Sequence, residues 1–374
     1  MIIKTKDLQD VCKKVLSAID TSISDSITEV VELKSQEDSL TISITNNEYY
    51  VSSIIKTTSV ENLLATVNAK IFLGLVSKIT TENIELSVVD NKVLVVKGNG
   101  TYKLPFVFKD IELVRVNPIT IENTTCEFEL NADVLKSINK YNSKEFLKSG
   151  LRKSTQKMYY IDQDGAITFT VGACVNKFTL PKDIKFVVIE KFAKLFSLFD
   201  SEKVNFRFGY NVGVNSLPSA VFELSNATTK LVAIIGDNDY LLKSVPTRAI
   251  RARANELYPY SVVVEKSTLL EALDRISLFS QQDVYVSYTH LYFNNDGLTI
   301  FDTKKTNNEK IAYASSIELD EPWEYTCLID SNDLKIALET CTSQYLTLNF
   351  GNGQAINLVY DNVVNIMPEC SSDE

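Results

Sequence analysis

Lys136, Lys140 and Lys144 fall at i, i+4 and i+8, which on an α-helix lines three ammonium groups along one face. The same pairing of a lysine face with an apolar stripe recurs on three other stretches. Lys6, Lys13 and Lys14 accompany Leu8, Val11, Cys12, Val15 and Ile19; Lys70 and Lys78 accompany Phe72, Leu75, Val76 and Ile79. Lys191 and Lys194 accompany Phe192, Leu195, Phe196 and Phe199. Opposing acids are few there: Asp7, Asp10, Asp133 and Glu190. All but Asp10 sit in a first helical turn, where the macrodipole favours a carboxylate whatever the function. A lysine offers phosphate a mobile point charge and has no means of reading a base. The chemistry this pattern could do is sequence-independent, salt-sensitive binding of a phosphate backbone such as duplex DNA. Taken singly, each stretch is explained as well by an ordinary solvated helix face. Two further helical stretches dilute the pattern, because Lys266, Arg275 and Lys335 are accompanied by Glu271, Asp274, Asp333 and Glu339.

Catalytic chemistry has much less to work with. His290 is the only histidine, within the strand-like VYVSYTHLYF, so neither a catalytic triad nor a histidine metal cluster can be assembled. The six cysteines (Cys12, Cys126, Cys174, Cys327, Cys341, Cys370) show no CxxC spacing and read as buried free thiols. No P-loop, GxGxxG or GxSxG occurs. The expectation is a protein that is not an enzyme and takes no cofactor and no metal. The net charge of −10 argues less against nucleic acid than it first suggests, since the placement of basic residues outweighs their sum.

The elements that must carry these lysines are regular. Residues 67 to 105 contain a short amphipathic helix and then three extended segments, around Ile84 to Val88, Val93 to Lys97 and Tyr102 to Leu104. Asp90-Asn91 and Gly98-Asn99-Gly100 supply the turns between them. Helix starts expected near 6, 69, 132, 190, 266 and 332 repeat this helix-on-antiparallel-sheet unit at a period of about sixty residues. One unit leaves its core half covered, so paired units predict three domains of roughly 120 residues. TRAIRARANELYP reads as a polar, basic connection marking a boundary near residue 256. With 45% hydrophobic and 23% charged residues the composition is that of a soluble globular protein. No apolar run reaches membrane-span length and MIIKTKDLQD has no signal-peptide core, so cytoplasmic residence with no membrane partner is the default expectation.

Several segments, in order and at matching separations, carry a family resemblance. VNAKIFLGLVSKI followed by IELSVVDNKVLVVKGNGTYKLP, then DNDYLLKSVP at 237 to 246, then NIMPEC at 365 to 370, resemble the bacterial-type DNA polymerase III β subunit, the DNA sliding clamp. The resemblance spans essentially the whole chain. It implies an α+β fold of three tandem clamp domains, at 1–121, 122–256 and 257–374. It further implies a head-to-tail homodimeric ring that encircles duplex DNA, is opened by a clamp-loader ATPase and tethers the replicative DNA polymerase. Lys6, Lys13, Lys14, Lys70, Lys78, Lys136, Lys140, Lys144, Lys191, Lys194 and Arg275 would line the channel. A partner-peptide cleft would draw on Thr155, Val171, Ala173, Val175, Asn238, Tyr240, Leu242, Asp330, Asp333, Ile366, Met367 and Pro368. The ring would close between Tyr102 and Leu104 of one copy and Leu278 and Phe279 of the other.

The chain also departs from the family. The usual TDGHRL-like strand reads VGACVN, PDY becomes NDY, and the tail runs on past Met-Pro as ECSSDE. These departures, with the Asn/Lys/Ile-rich composition, suggest a phage-encoded member working in its host's cytoplasm. A competing reading is a repeat-built scaffold or virion protein, which needs no lysine-faced helices. Charge reversal at Lys136 and Lys140 separates the two.

Overall fold

The computed structural model describes residues 1–19, 29–57, 62–139, 158–169, 172–200, 203–212, 217–280, 287–316 and 322–370. Strand, helix and three further strands succeed one another six times. The first repeat is β1 (Ile2–Lys4), α1 (Thr5–Ser17), β2 (Val30–Gln36), β3 (Ser39–Thr45) and β4 (Tyr49–Lys56). The second is β5 (Leu64–Asn68), α2 (Ala69–Val76), β6 (Asn83–Val89), β7 (Val93–Lys97) and β8 (Thr101–Pro105). A small hairpin, β9 (Phe108–Lys109) and β10 (Glu112–Leu113), precedes the third: β11 (Asn123–Asn131), α3 (Ala132–Asn139), β12 (Met158–Asp162), β13 (Gly165–Phe169) and β14 (Ala173–Lys177). The fourth is β15 (Phe186–Ile189), α4 (Glu190–Ala193), β16 (Lys203–Val212), β17 (Pro218–Ser225) and β18 (Thr229–Gly236).

Two helices, α5 (Asn238–Lys243) and α6 (Thr247–Ala254), lead to the fifth repeat. It consists of β19 (Tyr260–Glu265), α7 (Lys266–Ser277), β20 (Tyr288–Asn294), β21 (Gly297–Phe301) and β22 (Asn308–Ile311). After the short β23 (Ser315–Ser316) comes the sixth: β24 (Glu324–Asp330), α8 (Ser331–Thr340), β25 (Tyr345–Phe350), β26 (Ala355–Tyr360) and β27 (Val363–Pro368). The class is α+β with antiparallel sheets, as the helix-on-sheet reading expected.

Repeats interlock in pairs by exchanging their leading strands. β1 pairs with β6 while β5 pairs with β2; β11 pairs with β16 while β15 pairs with β12; β19 pairs with β25 while β24 pairs with β20. Two of the resulting sheets run on into another. β4 joins β18, giving the eight-stranded order β11-β16-β17-β18-β4-β3-β2-β5. β14 joins β27, giving the nine-stranded order β15-β12-β13-β14-β27-β26-β25-β19-β23. The sheets β1-β6-β7-β8 and β22-β21-β20-β24 remain four-stranded, with β8 and β22 as end strands. The chain forms two compact units: Met1–Lys136 with Lys191–Asn238, and Ser137–Glu190 with Asp239–Glu374.

In the first unit α1 buries Leu8, Cys12 and Val15, and α2 buries Phe72, Leu73 and Val76. Gln9 ties the two together, its amide donating to the carbonyls of Val76 and Ile79 at 3.0 and 2.8 Å. Asn68 caps α2 by accepting from the Ile71 N–H at 3.0 Å, a contact of a kind worth about 1 kcal/mol. Tyr49, Phe192, Phe196 and Phe222 meet edge to face with centroids 6.1 to 6.2 Å apart. Over the eight-stranded sheet, Val114 and Val116 pack on Val30, Tyr50, Val221 and Val232. Arg115 pins that segment by donating to the buried Glu32 at 2.6 Å. In the second unit Phe350 stacks on Phe293 at 4.0 Å, and Trp323 on Tyr260 at 4.9 Å.

Two features differ from the periodicity reading. After Ala193 the fourth helix tightens into a 3-10 turn, Lys194–Leu198. Phe192, Leu195 and Leu198 are all buried at three-residue spacing, which matches three residues per turn better than 3.6. The stretch read as a basic connection is the helix α6. Its TRAIRARA sequence has good helix formers but no apolar stripe for periodicity to detect. Arg251 anchors it, with Nε and Nη2 donating to Asp162 at 2.9 and 2.5 Å and Nη2 to the Gly165 carbonyl at 3.1 Å.

Candidate nucleic-acid interface

The helices place their lysines away from the core, as their apolar stripes require. Lys6 and Lys13 on α1 and Lys70 on α2 are exposed, as is Lys78 just beyond α2. They form no ion pair among the described residues. Lys14 is half-buried, 3.2 Å from both carboxylate oxygens of Asp200. Lys136 on α3 lies 3.2 Å from Asp133, one turn earlier. Lys191 on α4 is paired with Glu48, and Lys194 is exposed. Lys140 and Lys144 lie outside the described residues. Arg275 on α7 is engaged: Nε and Nη2 donate to the two oxygens of Glu309 at 2.9 and 2.6 Å, and Glu271 stands 3.6 Å away. Lys335 similarly holds Asp274 at 2.8 Å. Cys12, Cys174, Cys327 and Cys341 are buried as expected, Cys126 and Cys370 only in part; burial pushes the Cys12 thiol up to about 12 and Cys327 well above its ordinary value, so both are inert.

Among the residues implied for a cleft, the structure joins some and parts others. In the β14–β27 ladder Ala173 faces Ile366 and Val175 faces Val364. Alternation puts Ala173, Val175 and Ile366 on one face of the nine-stranded sheet, while Met367 turns to the other and is buried there. Pro368 ends β27, exposed. Asn238 is buried at the start of α5, whereas Tyr240 is 68% exposed and Leu242 half-buried. Asp330 caps α8, accepting from the Asn332 N–H at 2.9 Å, and burial holds its carboxyl above the usual range. Asp333 is half-buried in the first turn of α8. Thr155 and Val171 lie outside the described residues. A hollow of about 420 Å³ next to this face is lined by Val175, Lys177, Phe178, Arg251, Asn255 and Asn362, among others.

The residues implied for ring closure occupy the end strand β8 and the C-terminal end of helix α7. Tyr102 and Leu104 lie on β8, the first partly exposed and the second only 8% exposed. Leu278 and Phe279, just past α7, are 79% and 59% exposed.

Residues 1–114 match the family model "DNA polymerase III beta subunit, N-terminal domain". Solved structures extend the likeness to the rest. A Pseudomonas aeruginosa DNA polymerase sliding clamp superposes with a TM-score of 0.77 at 12% identity over 99% of both chains. The DNA polymerase III beta chain of Streptococcus pneumoniae gives 0.76 at 13% over 99% of both. The Helicobacter pylori beta clamp bound to a DNA ligase peptide gives 0.71 at 16% over 99% of both. This is the sliding-clamp fold. No curated protein matches the chain in sequence.

Within the clamp fold, several contacts around the implied cleft escaped the sequence reading. Arg253 on α6 donates to the Gln354 side chain, and the neighbouring Ala355 pairs with Pro368. Beyond Pro368 the chain stays attached: the Glu369 N–H donates to the Gln354 carbonyl at 3.0 Å and the Cys370 N–H to the Leu328 carbonyl at 2.8 Å. Tyr325 donates its hydroxyl to the Glu369 carboxylate at 2.7 Å, and burial holds that carboxyl above its usual range. Arginines at 248 and 251, one helical turn apart, were the available signal for α6; nothing local marked Glu369.

Proposed function

We propose that this chain is a DNA sliding clamp, a processivity factor that encircles duplex DNA and tethers a replicative DNA polymerase. The observation that carries this reading is the clamp fold over 99% of the chain, joined to a family match over its first 114 residues. Lysines on the exposed sides of α1, α2, α3 and α4 add to it: they suit phosphate contacts without base readout. The contribution to replication is geometric. A ring linked to DNA keeps its tethered enzyme at high effective concentration near the primer end.

The reading takes three domains, at 1–121, 122–256 and 257–374, and the three pairs of repeats that exchange leading strands support it. The four-stranded sheets ending at β8 and β22 suit a head-to-tail homodimer in which these end strands meet across two copies. Leu278 and Phe279 would then be covered. A clamp-loader ATPase would open the ring. Partner peptides would dock beside β14, β27 and α5, with a specificity of their own, because VGACVN supplies neither the histidine nor the arginine usual there. A scaffold without DNA encirclement is the less favoured alternative, since it gives no reason for clamp architecture along the whole length.

Light scattering should return twice the chain mass, and clamp loaded on circular DNA should be retained where linear DNA releases it. A strict monomer at micromolar concentration, with no loader-dependent retention on circles, overturns the proposal.

A further inference from the structure

Three of the lysines proposed to meet DNA already hold a carboxylate. Lys14 lies 3.2 Å from Asp200, Lys136 lies 3.2 Å from Asp133, and Lys191 is paired with Glu48. The Lys191 ammonium also stands 5.5 Å from the centroid of the Phe192 ring, which further fixes it. Next to Lys136, Lys203 holds Glu129 at 2.8 Å, and a hollow of about 470 Å³ gathers Glu129, Asp133 and Asp200 with Lys136 and Lys203. Lys6, Lys13, Lys70 and Lys78 have no such counter-charge among the described residues. Paired and unpaired lysines therefore coexist in the same compact unit.

The geometry points to a tuning role for Glu48, Asp133 and Asp200: they are positioning residues that mask Lys191, Lys136 and Lys14 and so weaken the grip on the encircled duplex. This inference rests on the proposed DNA-encircling function. A phosphate neutralised by a free lysine releases its condensed counterions, whereas a lysine already matched by a carboxylate adds no net charge at the DNA surface. Exposed ion pairs of this kind are weak and open readily. Each carboxylate thus acts as an intramolecular competitor for phosphate. A ring that must stay linked to DNA yet move along it gains from contacts that are individually labile; the linkage itself supplies retention.

The test is a salt titration of equilibrium binding to a short duplex DNA. It compares the wild-type chain with the triple variant Glu48→Gln, Asp133→Asn, Asp200→Asn, and with Asp10→Asn as control. Asp10 is exposed on α1 with no ion pair among the described residues, so its replacement removes a negative charge and frees no lysine. The slope of log K against log salt should steepen by about 0.9 for each lysine released, or about 2.7 for the triple variant. The control should leave the slope unchanged. Equal slopes for the triple variant and wild type overturn the inference while leaving the clamp reading in place. So does a control that steepens the slope by about 0.9, the change expected for one released lysine. Wild-type protein that fails to bind duplex even at low salt removes the DNA reading itself, and the inference with it.

Discussion

His290 is the one imidazole of the chain, half-buried on β20 opposite Phe301. Burial first, and the charge of Lys305 second, hold its pKa below the ordinary 6.5, outweighing the opposite pull of Asp302. The unfolded chain takes up this proton near 6.5 while the folded protein resists it. The stability His290 contributes is therefore present above the unfolded value and lost as pH falls through the folded one. Thermal midpoints should drop on acidification from pH 7 through this window, and His290→Gln should flatten that part of the profile. An unchanged profile would mean the imidazole protonates equally well in both states. The neighbouring loop is held by Asp302, whose buried carboxylate accepts from the Thr306 N–H and the Asn307 amide at 2.7 Å each.

At the scale of elements, two glycines give opposite expectations. Gly172 leads into β14, where an added Cβ would lie 1.8 Å from the Ile366 carbonyl oxygen and 2.9 Å from its carbon. No side-chain rotation relieves a clash with backbone, so Gly172→Ala should force β14 from β27 and cost on the order of 1–3 kcal/mol in denaturant unfolding. Gly74 sits inside α2 with nothing within 4 Å of a new Cβ. Gly74→Ala should stabilise the protein by up to about 1 kcal/mol, the ordinary helix advantage of alanine. Equal effects from the two would contradict the tight β14–β27 approach. Gly172 of VGACVN thus has a packing reason that no local pattern advertises.

For the whole molecule, the proposed head-to-tail pairing of copies would make the exposed Leu278 and Phe279 the vulnerable point. Leu278→Asp with Phe279→Asp should halve the mass measured by light scattering while leaving the circular-dichroism spectrum unchanged, because neither side chain belongs to the core. Retention on circular DNA should be lost in parallel. A double variant that remains dimeric would place the interface elsewhere.

Periodicity alone determined the six helix starts, expected near 6, 69, 132, 190, 266 and 332 and found at 5, 69, 132, 190, 266 and 331. It also set which helix faces are apolar, and so which carry lysine. These properties are local: an amphipathic helix buries its stripe whatever sheet lies beneath it. Only the tertiary structure decided that Lys14 and Lys191 are matched. Glu48 comes from a strand turn 143 positions before Lys191, and Asp200 lies 186 positions beyond Lys14. It likewise decided that Arg275 is held by Glu309 and that each repeat lends its first strand to its neighbour. Such pairings join residues far apart in the chain, and no spacing within a single repeat encodes them.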